Sequence, residues 1–209
     1  MVSQSELIDV PPWRPEHCIA GHPALDLVNT ISHRCDPSLA IDRMDRVEKI
    51  AFWCAYQSLL SDRDAQALIR SCQERGIEAA LVASVNALRN AAAEIFDAVA
   101  SQEELPSSAL AEVLSVSADI RVALLDIPDD YRELPRLLVR DIAVEAVVAS
   151  MALLVLDGVF RLPRTRVRSC PRCSWLFCDS SKGGRRRWCS MKDCGNREKA
   201  SRHYQSRRG

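Results

Sequence analysis

Nine cysteines are spread unevenly over 209 residues. Cys18, Cys35, Cys54 and Cys72 are scattered, whereas Cys170, Cys173, Cys178, Cys189 and Cys194 crowd into 25 residues. Cys170-Pro-Arg-Cys173 is C-x2-C, and after fifteen intervening residues Cys189 and Cys194 follow as C-x4-C. Two thiolate pairs, each on a tight turn, can reach the corners of a tetrahedron around Zn²⁺ at about 2.3 Å per sulfur. Zinc favours such soft anionic ligands, and four of them leave no open coordination position. The spacing therefore predicts a structural zinc site held by Cys170, Cys173, Cys189 and Cys194, one zinc per chain, and disfavours a catalytic metal. An odd cysteine count without an export signal argues against a disulfide framework. A redox-active C-x2-C would need a thioredoxin-like context, which is absent. Cys178 closes a segment, Ser174 to Cys178, that alternates like a strand, and it reads as a small buried hydrophobe. Spacing alone leaves it open as a substitute ligand. Arg168, Arg172, Arg187 and Lys192 lie near the thiolates in sequence and would favour their ionised form.

Charge singles out the same region. The chain is neutral as a whole, but residues 161–209 hold 15 Lys/Arg against 3 Asp/Glu, a net of +12, which leaves −12 on residues 1–160. Lys/Arg side chains that neutralise phosphates release condensed counterions, which drives affinity for nucleic acid. Arg185, Arg186, Arg187, Arg197, Lys199 and Arg202 are the candidate contacts, and arginine suits bidentate recognition of phosphate or guanine. On a helix starting near Asn196, Ala200 and Tyr204 are expected to face the zinc core. Arg197, Ser201 and Arg208 form a neighbouring stripe that could enter a major groove. The rival reading is a basic surface that docks on the acidic body or on a partner protein.

A third constellation lies upstream. His22, Asp26, Asn29 and His33 fall at i, i+4, i+7 and i+11, one stripe of a helix. His22, Asp26 and Asn29 could line a ligand-sensing pocket, or could serve helix capping and core hydrogen bonding instead. No nucleophile–base–acid set, phosphate-cradling glycine loop or H-E-x-x-H occurs, so no enzyme is expected.

The elements that must position these residues are mostly helical. A brief strand is expected over Glu16–Ala20, and helices over 21–33, 43–59, 62–74 and 78–100, with Ser61 as N-cap and Gly76 as stop signal. A helix or strand follows over 109–124, a loop over 126–135, and then the most apolar helix over 135–157, opened by Pro135 and ended by Gly158. In the tail the expected order is knuckle, strand, a turn at 182–184, a basic strand at Arg185–Trp188, and a helix capped by Asn196. Trp175, Phe177 and Trp188 would form its small apolar core. The fold class is thus mainly α: a helical domain over 1–160 with at most a short β element, and a treble-clef-like zinc finger of β-hairpin and helix over 161–209. The longest uncharged apolar run, Ala146 to Leu156, is too short to span a bilayer. No basic or apolar leader precedes His17. The expected location is the cytoplasm.

Arg186-Arg187-Trp188-Cys189-Ser190-Met191 followed by Cys194-Gly195-Asn196-Arg197, Lys199 and Ala200 resembles the CGNR zinc finger over about 165–207. The resemblance implies the same four cysteine ligands and a position 178 that is usually not cysteine. Gly21-His22-Pro23-Ala24-Leu25-Asp26-Leu27-Val28-Asn29-Thr30 resembles the opening motif of the ABATE domain, which precedes a CGNR finger in bacterial proteins described as stress-induced transcription regulators. The implied function is a DNA-binding transcription regulator whose helical domain senses a small-molecule effector or forms a homodimer. The alternatives are a protein-interaction adaptor with a basic docking finger, and a small-molecule-binding protein or enzyme built on His22, Asp26 and Asn29.

Overall fold

The computed structural model describes residues 13–120, 125–126, 136–137 and 144–207. Its first elements are short. Pro15–His17 form a 3-10 turn in place of the expected strand, because Pro15 sits at its first position with φ fixed near the helical value. Helix α1 (Pro23–Val28) starts as expected: Pro23 is in the first turn, and the His22 ring Nδ1 accepts the Ala24 N–H at 3.1 Å. It stops after six residues. Strand β1 (Ile31–Ser32) then pairs antiparallel with β2 (Ile41–Asp42), and His33 turns the chain with a left-handed φ of 55°. The stripe from His22 to His33 is therefore not one helical face.

Helix α2 (Val47–Tyr56) buries Val47, Ile50, Ala51, Trp53 and Cys54. Helix α3 (Asp62–Arg75) is capped by Ser61, whose Oγ accepts the Asp64 N–H at 3.2 Å. It ends on Gly76, whose φ of 63° relieves the last carbonyls without a Cβ clash. The long α4 (Glu78–Ser101) buries Leu81, Val85, Leu88, Ala92, Ile95, Phe96 and Val99, the i, i+3, i+4 set visible in the sequence. The undecided segment after it is helical, α5 (Ser107–Ser117).

The most apolar helix, α6, runs over Val144–Arg161, later than expected at both ends. Pro135 and most of the loop expected over 126–135 lie outside the described residues. Leu125–Asp126 (β3) instead pairs antiparallel with Arg136–Leu137 (β4), so a two-residue strand occupies the place where the helix should begin. Gly158 does not end α6 either. A Cβ there would lie 2.8 Å from Ala24 Cβ and 2.9 Å from Phe96 Cζ, so the glycine permits close packing of α6 on α1 and α4. The body core joins Leu25 and Leu27 of α1, Trp53 of α2, Phe96 of α4 and Met151 of α6, all fully buried. No helix among the described residues is long and apolar enough to cross a membrane.

In the tail, β5 (Val167–Ser169) pairs antiparallel with β6 (Leu176–Cys178), so the C-x2-C knuckle is the loop of the hairpin. Arg185–Trp188 forms no strand. The Arg186 N–H donates to Asp179 Oδ2 at 2.8 Å, which takes it out of any ladder. The cap is Ser190 rather than Asn196: the Ser190 Oγ accepts the Asp193 N–H at 3.3 Å at the head of a wide turn, Met191–Gly195. Helix α7 (Asn196–Gln205) continues from that turn. Ala200 and Tyr204 are exposed, while Glu198 and Ser201 are half-buried, so the inward face of α7 is rotated from the expected one. The architecture is a mainly helical body with short β elements and a C-terminal cysteine-bearing hairpin and helix.

Candidate metal centre and basic surface

Four cysteines from three local elements meet in the tail. Cys170 and Cys173 flank the hairpin loop, where Cys170 N–H donates to Trp175 O at 2.8 Å and Ser174 N–H donates back to Cys170 O at 2.9 Å. Cys189 ends the basic loop and Cys194 lies in the turn before α7. All four are buried, and their Sγ atoms lie within 4.8 Å of one another. Cys173 and Cys189 are 3.5 Å apart, and Cys189 and Cys194 3.6 Å. A tetrahedron with metal–sulfur bonds of about 2.3 Å has edges of about 3.8 Å, so the cluster has the dimensions of a closed metal site with four thiolate ligands.

Its electrostatics suit a cation. Hydrogen bonds with Cys173 and Cys189 hold the Cys170 thiol far below its ordinary range. The bond with Cys170 in turn pushes Cys173 up to about 12 and raises Cys189, while burial raises Cys194. One thiolate forbids the next; a divalent metal at the centre removes that conflict and lets all ionise. Cys178 stays outside the cluster. It is half-buried against the body core, its N–H donates to Ala20 O at 2.7 Å, and burial raises its thiol pKa.

The cluster is backed by fully buried Phe177, with Trp175, Trp188 and Ile19 packed around it. The Arg186 guanidinium lies 4.7 Å from the Phe177 ring centroid and donates to the carbonyls of Trp188 and Cys189. This predicted nucleic-acid contact is committed inside the finger. Other arginines are engaged likewise. Arg166 donates to Ser181 O at 3.0 Å, Arg168 to Gly184 O at 2.8 Å, and Arg172 pairs with Glu198 at 3.5 Å. Arg202 also pairs with Glu198, at 2.9 Å. Exposed Arg185, Arg187, Arg197 and Lys199 make no ion pair among the described residues. Arg187 lies over the Trp188 ring, 5.1 Å from its centroid. Arg208 lies outside the described residues, so the stripe of Arg197, Ser201 and Arg208 is placed only in its first two members.

The residues of the expected sensing stripe make contacts within the fold. His22 uses Nδ1 as the α1 cap and Nε2 in a 3.0 Å contact with Asp157 of α6. Burial lowers its pKa, the Asp157 contact opposing this. Asp26 is 6 % exposed, and its Oδ1 accepts the Ala20 N–H at 3.0 Å. Burial pushes its carboxyl up to about 7. Asn29, 1 % exposed, reaches into the tail: Nδ2 donates to Leu176 O and Oδ1 accepts the Leu176 N–H, each at 2.8 Å. The side chain thus acts as an extra strand partner for β6.

Further contacts, which periodicity does not reveal, complete this junction. The His33 N–H donates to Cys173 O at 3.2 Å. Arg34 forms a bidentate pair with Asp97 of α4 at 2.7 and 2.9 Å and donates to Ser174 O at 3.0 Å. Arg89, 2 % exposed, ties Thr30, Asp42 and Asn86 together just upstream. The one sequence signal for Arg89 is a lone arginine inside the apolar stripe of the 78–100 helix.

The CGNR zinc-finger family model matches residues 166–208. The ABATE family model, described as "Putative stress-induced transcription regulator", matches residues 21–158. Among curated proteins, no match is found.

Proposed function

We propose, for a chain that belongs to the ABATE family and carries a CGNR zinc finger, that it is a zinc-dependent DNA-binding regulator of transcription acting in the cytoplasm. The observation that carries this reading is the division of labour among the cations of the finger. Arg166, Arg168, Arg172 and Arg186 are held by the finger's own carbonyls and carboxylates, whereas Arg185, Arg187, Arg197 and Lys199 project from the basic loop and α7 with no ion pair among the described residues. Solvated, unpaired cations on a metal-braced scaffold are what phosphate recognition uses. Zinc is the metal of choice because four buried thiolates at tetrahedral spacing suit a soft, geometrically undemanding ion. Four ligands fill its coordination sphere, so the reading assigns it no catalysis.

The adaptor reading, with the basic finger folded onto the acidic body, is less favoured. The finger does meet the body, but through hairpin backbone at Cys173, Ser174, Leu176 and Cys178 rather than through its free cations. In the proposed regulator the body is the part that senses an effector or dimerises. A cleft of about 310 Å³, lined by Ile77, Leu88 and Val148 together with Arg75, Asp119 and Glu145, has the size of a small-molecule site. The test is affinity of the zinc-loaded chain for random-sequence duplex DNA as salt is raised. Four phosphate contacts give a log–log slope of about −3.6. Absence of binding at 50 mM salt would overturn the proposal.

A further inference from the structure

The surface beside α7 contains a small concave site that phosphate binding alone does not explain. Arg187, Trp188, Gly195, Glu198, Lys199 and Arg202 enclose a pocket of about 140 Å³. It is below the roughly 300 Å³ at which drug-sized ligand sites begin, so any occupant is smaller than that. Trp188 is half-buried: one part packs against the cysteine cluster and another lines this pocket. The Arg187 guanidinium, itself a planar π-cation, lies over the ring at 5.1 Å. The guanidinium covers the indole face as a stacked planar group, so a base that stacks there takes its place and moves Arg187 to the rim.

The backbone keeps the pocket shallow and fixed. Gly195 lines it without a side chain: a Cβ there would lie 3.3 Å from Trp188 Cδ1 and would push aside the end of the Met191 side chain, whose Sδ is 2.6 Å away. Glu198, whose carboxylate would repel a phosphate, is neutralised by Arg172 and Arg202. Lys199 makes no ion pair among the described residues, and Arg187, once a base displaces it from the Trp188 ring, is a second cation for the flanking phosphates.

We infer that this pocket takes one unstacked nucleobase of single-stranded DNA, stacked on Trp188, with the flanking phosphates on Arg187 and Lys199. An intact duplex hides base faces and presents only phosphates and groove edges, so it could use the rim but not the ring. A single strand offers both. The inference rests on the nucleic-acid reading above and assigns its preferred substrate.

The experiment uses the full, zinc-loaded chain and three labelled probes of equal length: a thymidine oligomer, the same backbone made abasic, and a duplex. Fluorescence anisotropy at fixed salt is expected to rank the thymidine oligomer first. It should exceed the abasic strand by about 5- to 150-fold, the range of a single base–aromatic stack. Trp188→Ala should collapse that difference, whereas Trp188→Phe, which keeps an aromatic face and the packing, should retain most of it. Equal affinity for thymidine and abasic strands overturns the inference and leaves phosphate binding standing. So does a base preference that survives Trp188→Ala in protein that still holds its zinc. Failure of all three probes overturns this inference and the DNA reading together.

Discussion

The hairpin of the finger and its loop-and-helix half are equally rich in arginine, yet they use it differently. In and around the hairpin, guanidinium groups end on carbonyls: Arg164 on Glu103 of the body, Arg166 on Ser181, Arg168 on Gly184. In the other half Arg186 and Arg202 are held as well, but exposed Arg185, Arg187, Arg197 and Lys199 make no ion pair among the described residues. The hairpin is also where the body takes hold, through both amide atoms of Asn29 and through the N–H of His33. Net charge therefore does not mark an interface. Which donors the fold leaves unsatisfied depends on carbonyls that are remote in sequence.

The sharpest way to break the contrast is to remove the metal. Zinc sites of this type contribute roughly 10–16 kcal/mol. Cys189→Ser, or a strong chelator, should release the loop and α7 while the hairpin, anchored independently by Asn29, keeps its place. Hydrogen exchange should then rise across residues 179–207 far more than across 167–178. Equal loss in both segments would show that the anchors do not act without the metal.

The next effect in size concerns the anchor. Asn29→Ala strands the N–H and C=O of Leu176 in a buried site, at about 1–3 kcal/mol for each unpaired group. Denaturant unfolding should show a loss of about 2–6 kcal/mol with the zinc still bound. A loss below about 0.5 kcal/mol, the usual bound for surface substitutions, would mean that the hairpin is held by other contacts.

A smaller effect is expected at Asp26, which supports the same junction through Ala20. Its folded pKa of about 7 lies above the ordinary carboxylate value of 3.8, and burial is the cause. Between about pH 4 and pH 7 the folded chain keeps a proton that the unfolded chain has shed, so stability falls as pH rises through that window. Asp26→Asn keeps an acceptor for the Ala20 N–H and removes the ionisation. It should flatten that slope and raise stability above pH 7 by at most about 4 kcal/mol, from 1.36 kcal/mol per pKa unit. Thermal melts at pH 4.5 and pH 8 would check it, and an unchanged slope would refute the burial argument.

How much of this is legible in the sequence depends on the range of the interaction. The four clustered cysteines are readable because metal coordination ties chemistry to short, fixed spacings. Ser61 and Gly76 are readable because caps act within one turn. The role of Asn29 is not: its partner, Leu176, lies 147 residues away, and an asparagine on a helical stripe looks the same whether it binds a ligand or a strand. Gly158 reads as a stop signal by rule, and only the proximity of Ala24 and Phe96 shows it to be a contact point. The basic strand expected at Arg185–Trp188 fails for a similar reason, since Asp179 draws the Arg186 N–H away from a partner strand. Ala200 and Tyr204 are expected inward because they are the apolar positions of α7, but its first turn is preceded by a wide turn that rotates the helix.

The central claim, that the free cations of the loop-and-helix half contact DNA while the committed ones do not, is tested most directly by comparing two zinc-loaded variants of the full chain. One carries Arg187→Ala, Arg197→Ala and Lys199→Ala; the other carries Arg164→Gln and Arg166→Gln. The quantity to measure is the slope of log affinity for DNA against log salt. The account predicts that the first variant loses about 2.7 from the magnitude of the slope, at about 0.9 per phosphate contact on duplex DNA, while the second stays with the parent. Equal slopes for parent and first variant, or a matching loss in the second, would contradict it.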